Sequence, residues 1–153
     1  MKKTYRVLAY LLPAIVALQA AFIAMAVYGL GSWVDDGHTL TKRTLDGGTS
    51  VTGDIGFALH GFGAMAAALV AVLLLVVSFF AKIPGGVKWA AIVFADVVLQ
   101  WVLAFVSFAA WSVGALHALN AFALFGLSMV AAQHATRSMG TAPDPVSPAG
   151  ERV

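Results

Sequence analysis

Cysteine is absent from the sequence. That gap excludes a disulfide framework, a thiolate metal site, a catalytic thiol and the covalent C-x-x-C-H attachment of haem. Charge is scarce too: Asp, Glu, Lys and Arg make up 10% of the chain, against about 25% in an ordinary soluble domain. The nine Lys and Arg residues are spread over loop ends, so the formal charge of +2 and a pI near 9.2 give no basic patch that tracks phosphates, and no nucleic-acid partner is expected. What is present is apolar: 61% of the 153 residues are hydrophobic. They fall into four runs, each long enough to cross a hydrocarbon core of about 30 Å. A water-facing globule is excluded. The expected fold is all-α, an integral membrane four-helix bundle of up-down-up-down topology whose first partner is the lipid bilayer.

The predicted helices cover about 7–31, 55–81, 87–108 and 113–133. The first run follows Lys2, Lys3 and Arg6, as a secretory signal would, but about 25 apolar residues exceed a signal core of 7 to 15, so it reads as a retained span. A bend is expected near Pro13. The polar, Gly- and Thr-rich segment 32–54 is the one substantial loop. The domain is placed at 1–137, and 138–153, with Pro143, Pro145 and Pro148, as a disordered cytoplasmic tail.

Basic residues near helix ends stay on the cytoplasmic side. With the N-terminus inside, Lys2, Lys3, Arg6, Lys82, Lys88, Arg137 and Arg152 are cytoplasmic and only Lys42 and Arg43 lie outside, beside Asp35, Asp36, Asp46 and Asp54. The expected location is the bacterial inner (plasma) membrane, multi-pass, with both termini cytoplasmic. Tyr5, Tyr28, Trp33, Trp89 and Trp111 fall at run ends, where interfacial aromatics belong.

Four polar residues interrupt the runs in a repeating order. Leu18-Gln19 in the first helix matches Leu99-Gln100 in the third, and Ala58-Leu59-His60 in the second matches Ala115-Leu116-His117 in the fourth. This reads as a parallel repeat of a helical hairpin. At 1.5 Å per residue, Gln19 and Gln100 lie about 18 to 20 Å from the inner starts of their helices, and His60 and His117 about 6 to 8 Å from the outer starts. All four therefore share one layer in the outer half of the core. In an up-down-up-down bundle helices two and four stand across the diagonal, about 11 to 14 Å apart.

A haem iron takes two axial nitrogens from opposite sides, and two histidines at one height on facing helices meet that demand. His60 and His117 are thus the expected metal ligands of one haem b near the outer leaflet. Gly63, with Gly56, Ala64, Ala67 and Ala71, leaves space on the face of helix two; Asn120 is placed to reach a ring edge or an imidazole; Gln19 and Gln100 are placed to fix a tautomer. The competing reading is a cofactor-free layer of His, Gln and Asn acting as interhelical glue. Zinc is disfavoured because two histidines leave its site incomplete. Asp96, one turn before Gln100, reads either as a proton relay or quinone contact, or as a neutral acid bonded to Gln19 or Gln100. Lys42 and Arg43 read as a solvated pair with a propionate contact as the alternative, His38 as solvent-facing, and His134 as lying opposite 78–80.

The pattern Leu18-Gln19, His60 with Gly63, Leu99-Gln100, His117 and Asn120-Ala121 resembles a family of small uncharacterised bacterial four-helix membrane proteins, a domain of unknown function, over 7–133. It is also similar to one four-helix half of haem A synthase and, more loosely, to membrane cytochromes b. The resemblance implies axial ligation by His60 and His117. It stops short of haem A synthesis by this chain alone: Gly61 follows His60 where a basic residue is looked for, and one bundle is present instead of two. The expected function is electron transfer or haem handling, with a quinone or a membrane redox partner and without enzyme activity of its own. The alternative is a cofactor-free accessory or structural subunit of a larger complex.

Overall fold

A computed structural model describes residues 1–44, 47 and 50–140. Asp46 and 141–153, and with them the tail prolines and Arg152, lie outside the described residues. Four helices account for nearly all of the remainder: α1 Lys2–Asp35, α2 Asp54–Ala81, α3 Gly86–Ala109 and α4 Val113–Gly140. Each is long and apolar enough to cross a membrane. Helix α1 packs on α2 and α4, and α3 packs on the same two; the diagonal pairs α1/α3 and α2/α4 have no Cα atoms within 8 Å of each other.

The helices outrun the apolar runs at several ends, and α4 shows why. It continues to Gly140, so 138–140 are helical and do not belong to a tail. Hydropathy falls after Gln133, but the polar side chains that follow keep their hydrogen bonds within the helix: Thr136 Oγ1 donates to the Ala132 carbonyl and Ser138 Oγ to that of His134. Ala135 is fully buried there, and Arg137 in the last turn complements the negative end of the helix dipole. At the other end of the chain, Pro13 lies buried within α1, which continues as one helix through it.

Burial follows two matched registers. On α2 the buried stripe is Ala67, Val70, Ala71, Leu74 and Ser78; adding 57 to each number gives Leu124, Leu127, Ser128, Ala131 and Ala135 on α4, four of them buried and Leu127 partly so. On α1, Tyr5, Ala9 and Leu12 become, on adding 81, Gly86, Ala90 and Val93 on α3, all buried. The hairpin repeat read from the polar residues is therefore also a repeat of packing. Most of these residues are small, which lets the helix axes approach closely.

The buried stripe occupies the half of the bundle holding both the start of α1 and the end of α4. Two contacts close that end: the Tyr5 hydroxyl donates to the Gly86 carbonyl at 2.9 Å, and His134 bonds the Pro84 carbonyl in the turn between α2 and α3. That turn needs left-handed backbone at Lys82 (φ 51°) and Gly85 (φ 71°). His134 thus meets the turn itself instead of 78–80. At the opposite end, α1 and α2 approach so closely that a Cβ on Gly56 would lie 2.6 Å from the Ala26 backbone nitrogen. The α3 and α4 ends beside them are looser: α3 has no buried residue after Val97, and α4 none before Leu124.

Candidate prosthetic-group site

Each polar residue of the repeat extends a buried stripe by about two turns. His60 precedes Ala67 and Ala71 by 7 and 11 residues, and His117 precedes Leu124 and Ser128 by the same intervals; Gln19 follows Leu12 by 7, as Gln100 follows Val93. At 3.6 residues per turn these spacings keep a side chain on one face of its helix. All four positions therefore face the bundle interior, and all four are half-buried.

The two imidazoles meet across the diagonal. Their ring centroids are 6.4 Å apart and their planes are inclined at 71°. His60 Nδ1 lies 3.1 Å from the Gln19 backbone carbonyl oxygen, and His117 Nδ1 lies 3.1 Å from that of Gln100. A carbonyl oxygen only accepts, so each Nδ1 carries the hydrogen and each Nε2 keeps its lone pair. This is the tautomer an Nε2 metal ligand requires, held by a partner on the neighbouring helix. Gln19 and Gln100 meet the imidazole Nδ1 atoms through their main-chain carbonyls.

The amides differ between the halves. Gln100 Nε2 donates to the His117 carbonyl at 3.0 Å and stands 3.3 Å from His117 Nε2, while Gln100 Oε1 accepts from Asn120 Nδ2 at 2.8 Å. The equivalent of Asn120 in the first half is Gly63, and a Cβ there would overlap the Gln19 carboxamide. Gln19 fills the space that Gly63 leaves, and both its Nε2 and Oε1 are buried with no hydrogen-bond partner among the described residues. Gly56, on the same side of α2, is taken up by the contact with α1.

Asp96 adds a further difference. Asn120 Nδ2 lies 3.4 Å from its backbone oxygen, and Asp96 Oδ2 is buried without a hydrogen-bond partner among the described residues. Neither glutamine amide bonds it. The remaining polar candidates stand apart. His38 is exposed, its ring edge-on to Trp33 at 4.7 Å. Lys42 and Arg43 occupy a helical turn flanked by Thr41 and Thr44, whose hydroxyls are 2.9 Å apart.

Among the described residues no group of three or more His, Cys, Asp or Glu side chains is placed to hold a metal ion. The donor set is two imidazoles. Their ring centroids are 6.4 Å apart, and the Nε2 of His117 faces the Gln100 amide nitrogen at 3.3 Å. Coordination at His117 requires the Gln100 amide to leave the ring while keeping its bond to the His117 carbonyl.

Fold and site together define a helical bundle with a paired-histidine layer in one half of its interior. The chain matches no protein-family model, no curated protein and no solved structure.

Proposed function

We propose that this is a multi-pass protein of the bacterial inner membrane that holds one b-type haem between His60 and His117, near the outer leaflet, and serves electron transfer or haem handling with a quinone or membrane redox partner. The observation that carries this reading is the imidazole pair itself: two rings 6.4 Å apart across the bundle, each fixed through Nδ1 by a carbonyl 3.1 Å away. The membrane placement rests on four spanning-length apolar helices and on seven of nine basic residues falling to one side. The likeness of the Gln and His pattern to half of haem A synthase and to membrane cytochromes b supports the same ligands.

When bound, haem supplies a one-electron couple. The chain supplies the rest. His60 and His117 would hold the iron, and the main-chain carbonyls of Gln19 and Gln100 would keep their Nδ1 hydrogens in place. The buried Gln19 amide offers a donor and an acceptor beside His60, where neither has a partner among the described residues.

A second reading has its own observation. The Gln100–His117–Asn120 network is closed without any ligand, as in a cofactor-free subunit that uses polar contacts to fix its helix packing. Purification from haem-supplied cells separates the two. A Soret band that is lost in both His60→Ala and His117→Ala, with helical content retained, is the expected result. Well-folded wild-type protein without colour overturns the haem reading and leaves the accessory subunit.

A further inference from the structure

Charge is spread along the bundle axis as unevenly as burial is. Lys2, Lys3, Arg6, Lys82, Lys88 and Arg137 all lie at the end that holds the start of α1, the α2–α3 turn and the end of α4, whereas Asp35, Asp36 and Asp54 lie at the other end and Asp96 midway along α3. No acid shares the basic end among the described residues; Asp46, Asp144 and Glu151 lie outside them. Nor does any of these cations have an ion pair or a side-chain hydrogen bond among the described residues.

Two hydrogen bonds gather the cations round one turn. The Tyr5 hydroxyl donates to the Gly86 carbonyl at 2.9 Å and so seats the start of α1, with Arg6 next in the chain, against the turn. His134 donates to the Pro84 carbonyl and seats the end of α4, with Arg137 three residues further on. Lys82 and Lys88 flank the turn itself. Lys82, Lys88 and Arg137 are exposed and Arg6 is half-buried.

The helix dipoles add to this field where acids would oppose it. Both α1 and α3 begin at this end, and a helix start carries a partial positive charge that favours Asp or Glu. Neither first turn holds an acid; Lys2, Lys3 and Lys88 stand there instead. Retention of one end on the cytoplasmic side calls for cations near the span ends. It does not call for two hydrogen bonds that draw four helix ends and their cations round a single turn.

We propose that this rim binds the headgroup of an anionic phospholipid, its phosphate held among Arg6, Lys82, Lys88 and Arg137. This goes beyond the haem reading and rests only on the membrane placement. Span ends put these side chains at the level of lipid phosphates, and Trp89, half-buried beside Lys88, is an aromatic of the kind that sits among headgroups. A zwitterionic headgroup brings its own cation and relieves little of the field. A net negative one offsets the unpaired cations and both helix starts together. Basic clusters at the cytoplasmic ends of membrane helices recognise anionic lipids in this way, at about fivefold in affinity for each Lys or Arg.

The test reconstitutes the full chain in phosphatidylcholine bilayers and measures, by electron paramagnetic resonance, how much chain-labelled phosphatidylglycerol or phosphatidylcholine it holds in a motionally restricted state. The wild type is expected to favour phosphatidylglycerol about fivefold or more, and to lose most of that preference between about 0.1 M and about 1 M salt, as the screening length falls from about 10 to about 3 Å. Lys82→Gln combined with Lys88→Gln is expected to remove most of the preference. Arg43→Gln, the same loss of charge at the opposite end, is expected to leave it intact. The single lysine variants and the salt series serve if the double variant folds poorly. Inorganic phosphate at matched ionic strength is expected to displace no more label than chloride; selective displacement would make the rim a site for free phosphate and overturn the lipid assignment. Equal retention of the two lipids by the wild type overturns the proposal. So does a preference that survives in the double variant, or one that falls as far in Arg43→Gln, which would leave net charge as its cause.

Discussion

Gly63 and Asn120 occupy equivalent positions three residues after their histidines, and the difference between them decides what each glutamine does. Opposite Asn120, Gln100 is fully engaged; opposite Gly63, Gln19 lies flat against bare backbone with its amide unpartnered. A methyl at position 63 meets the far end of a flexible side chain, so Gln19 must move or the helices must. Gly63→Ala is expected to destabilise the protein by about 1 to 3 kcal/mol, as overpacking does, and in a Gln19→Ala background most of that cost should vanish. Reversible unfolding in detergent checks it as a double-mutant cycle, and additive effects would place the Gln19 amide elsewhere. At this scale the meeting of His60 and His117 across the bundle was legible from matched depth. Their hydrogen-bond partners were not, because main-chain carbonyls are the same at every residue and only helix rotation selects Gln19 and Gln100. The Asp96–Asn120 contact was hidden for the same reason: it joins α3 to α4 across 24 positions of sequence.

Helix α2 illustrates how an element divides its tasks. Its inner stripe packs in the core, His60 faces the diagonal, and Gly56 lies against the α1 backbone. Unlike position 63, position 56 has no flexible neighbour: the obstacles are the Ala26 nitrogen and the Phe22 carbonyl. Gly56→Ala is therefore expected to cost more than Gly63→Ala, about 3 kcal/mol or above, with no rescue by trimming a side chain; equal thermal midpoints for the two variants would contradict the backbone contact. The number of helices was legible, since apolar runs mark spans. Helix ends were less so. Hydropathy reports where lipid gives way to headgroups, whereas helical hydrogen bonding continues as long as side chains such as Thr136 and Ser138 can satisfy themselves within it.

For the molecule as a whole, the absence of cysteine makes orientation directly measurable. Single cysteines at Thr39, in the loop between α1 and α2, and at Thr136, near the end of α4, are expected to react oppositely with a membrane-impermeant maleimide in intact cells: the first labelled from outside, the second only after permeabilisation. The reverse pattern would put the histidine layer near the inner leaflet.

The uneven distribution of buried residues has a mechanical consequence. Tyr5, Leu12, Leu74, Val93 and Ala131 knit all four helices together at one end, whereas beyond Val97 and before Leu124 the second hairpin has no buried side chain. Such a body is built like tongs, riveted at the base, with residues 98–123 as the arm that core packing holds least. Amide hydrogen exchange is expected to be fastest, among the four helices, in that arm and slowest over 5–12 and 70–78; uniform protection along α3 would mean that both jaws are equally fixed.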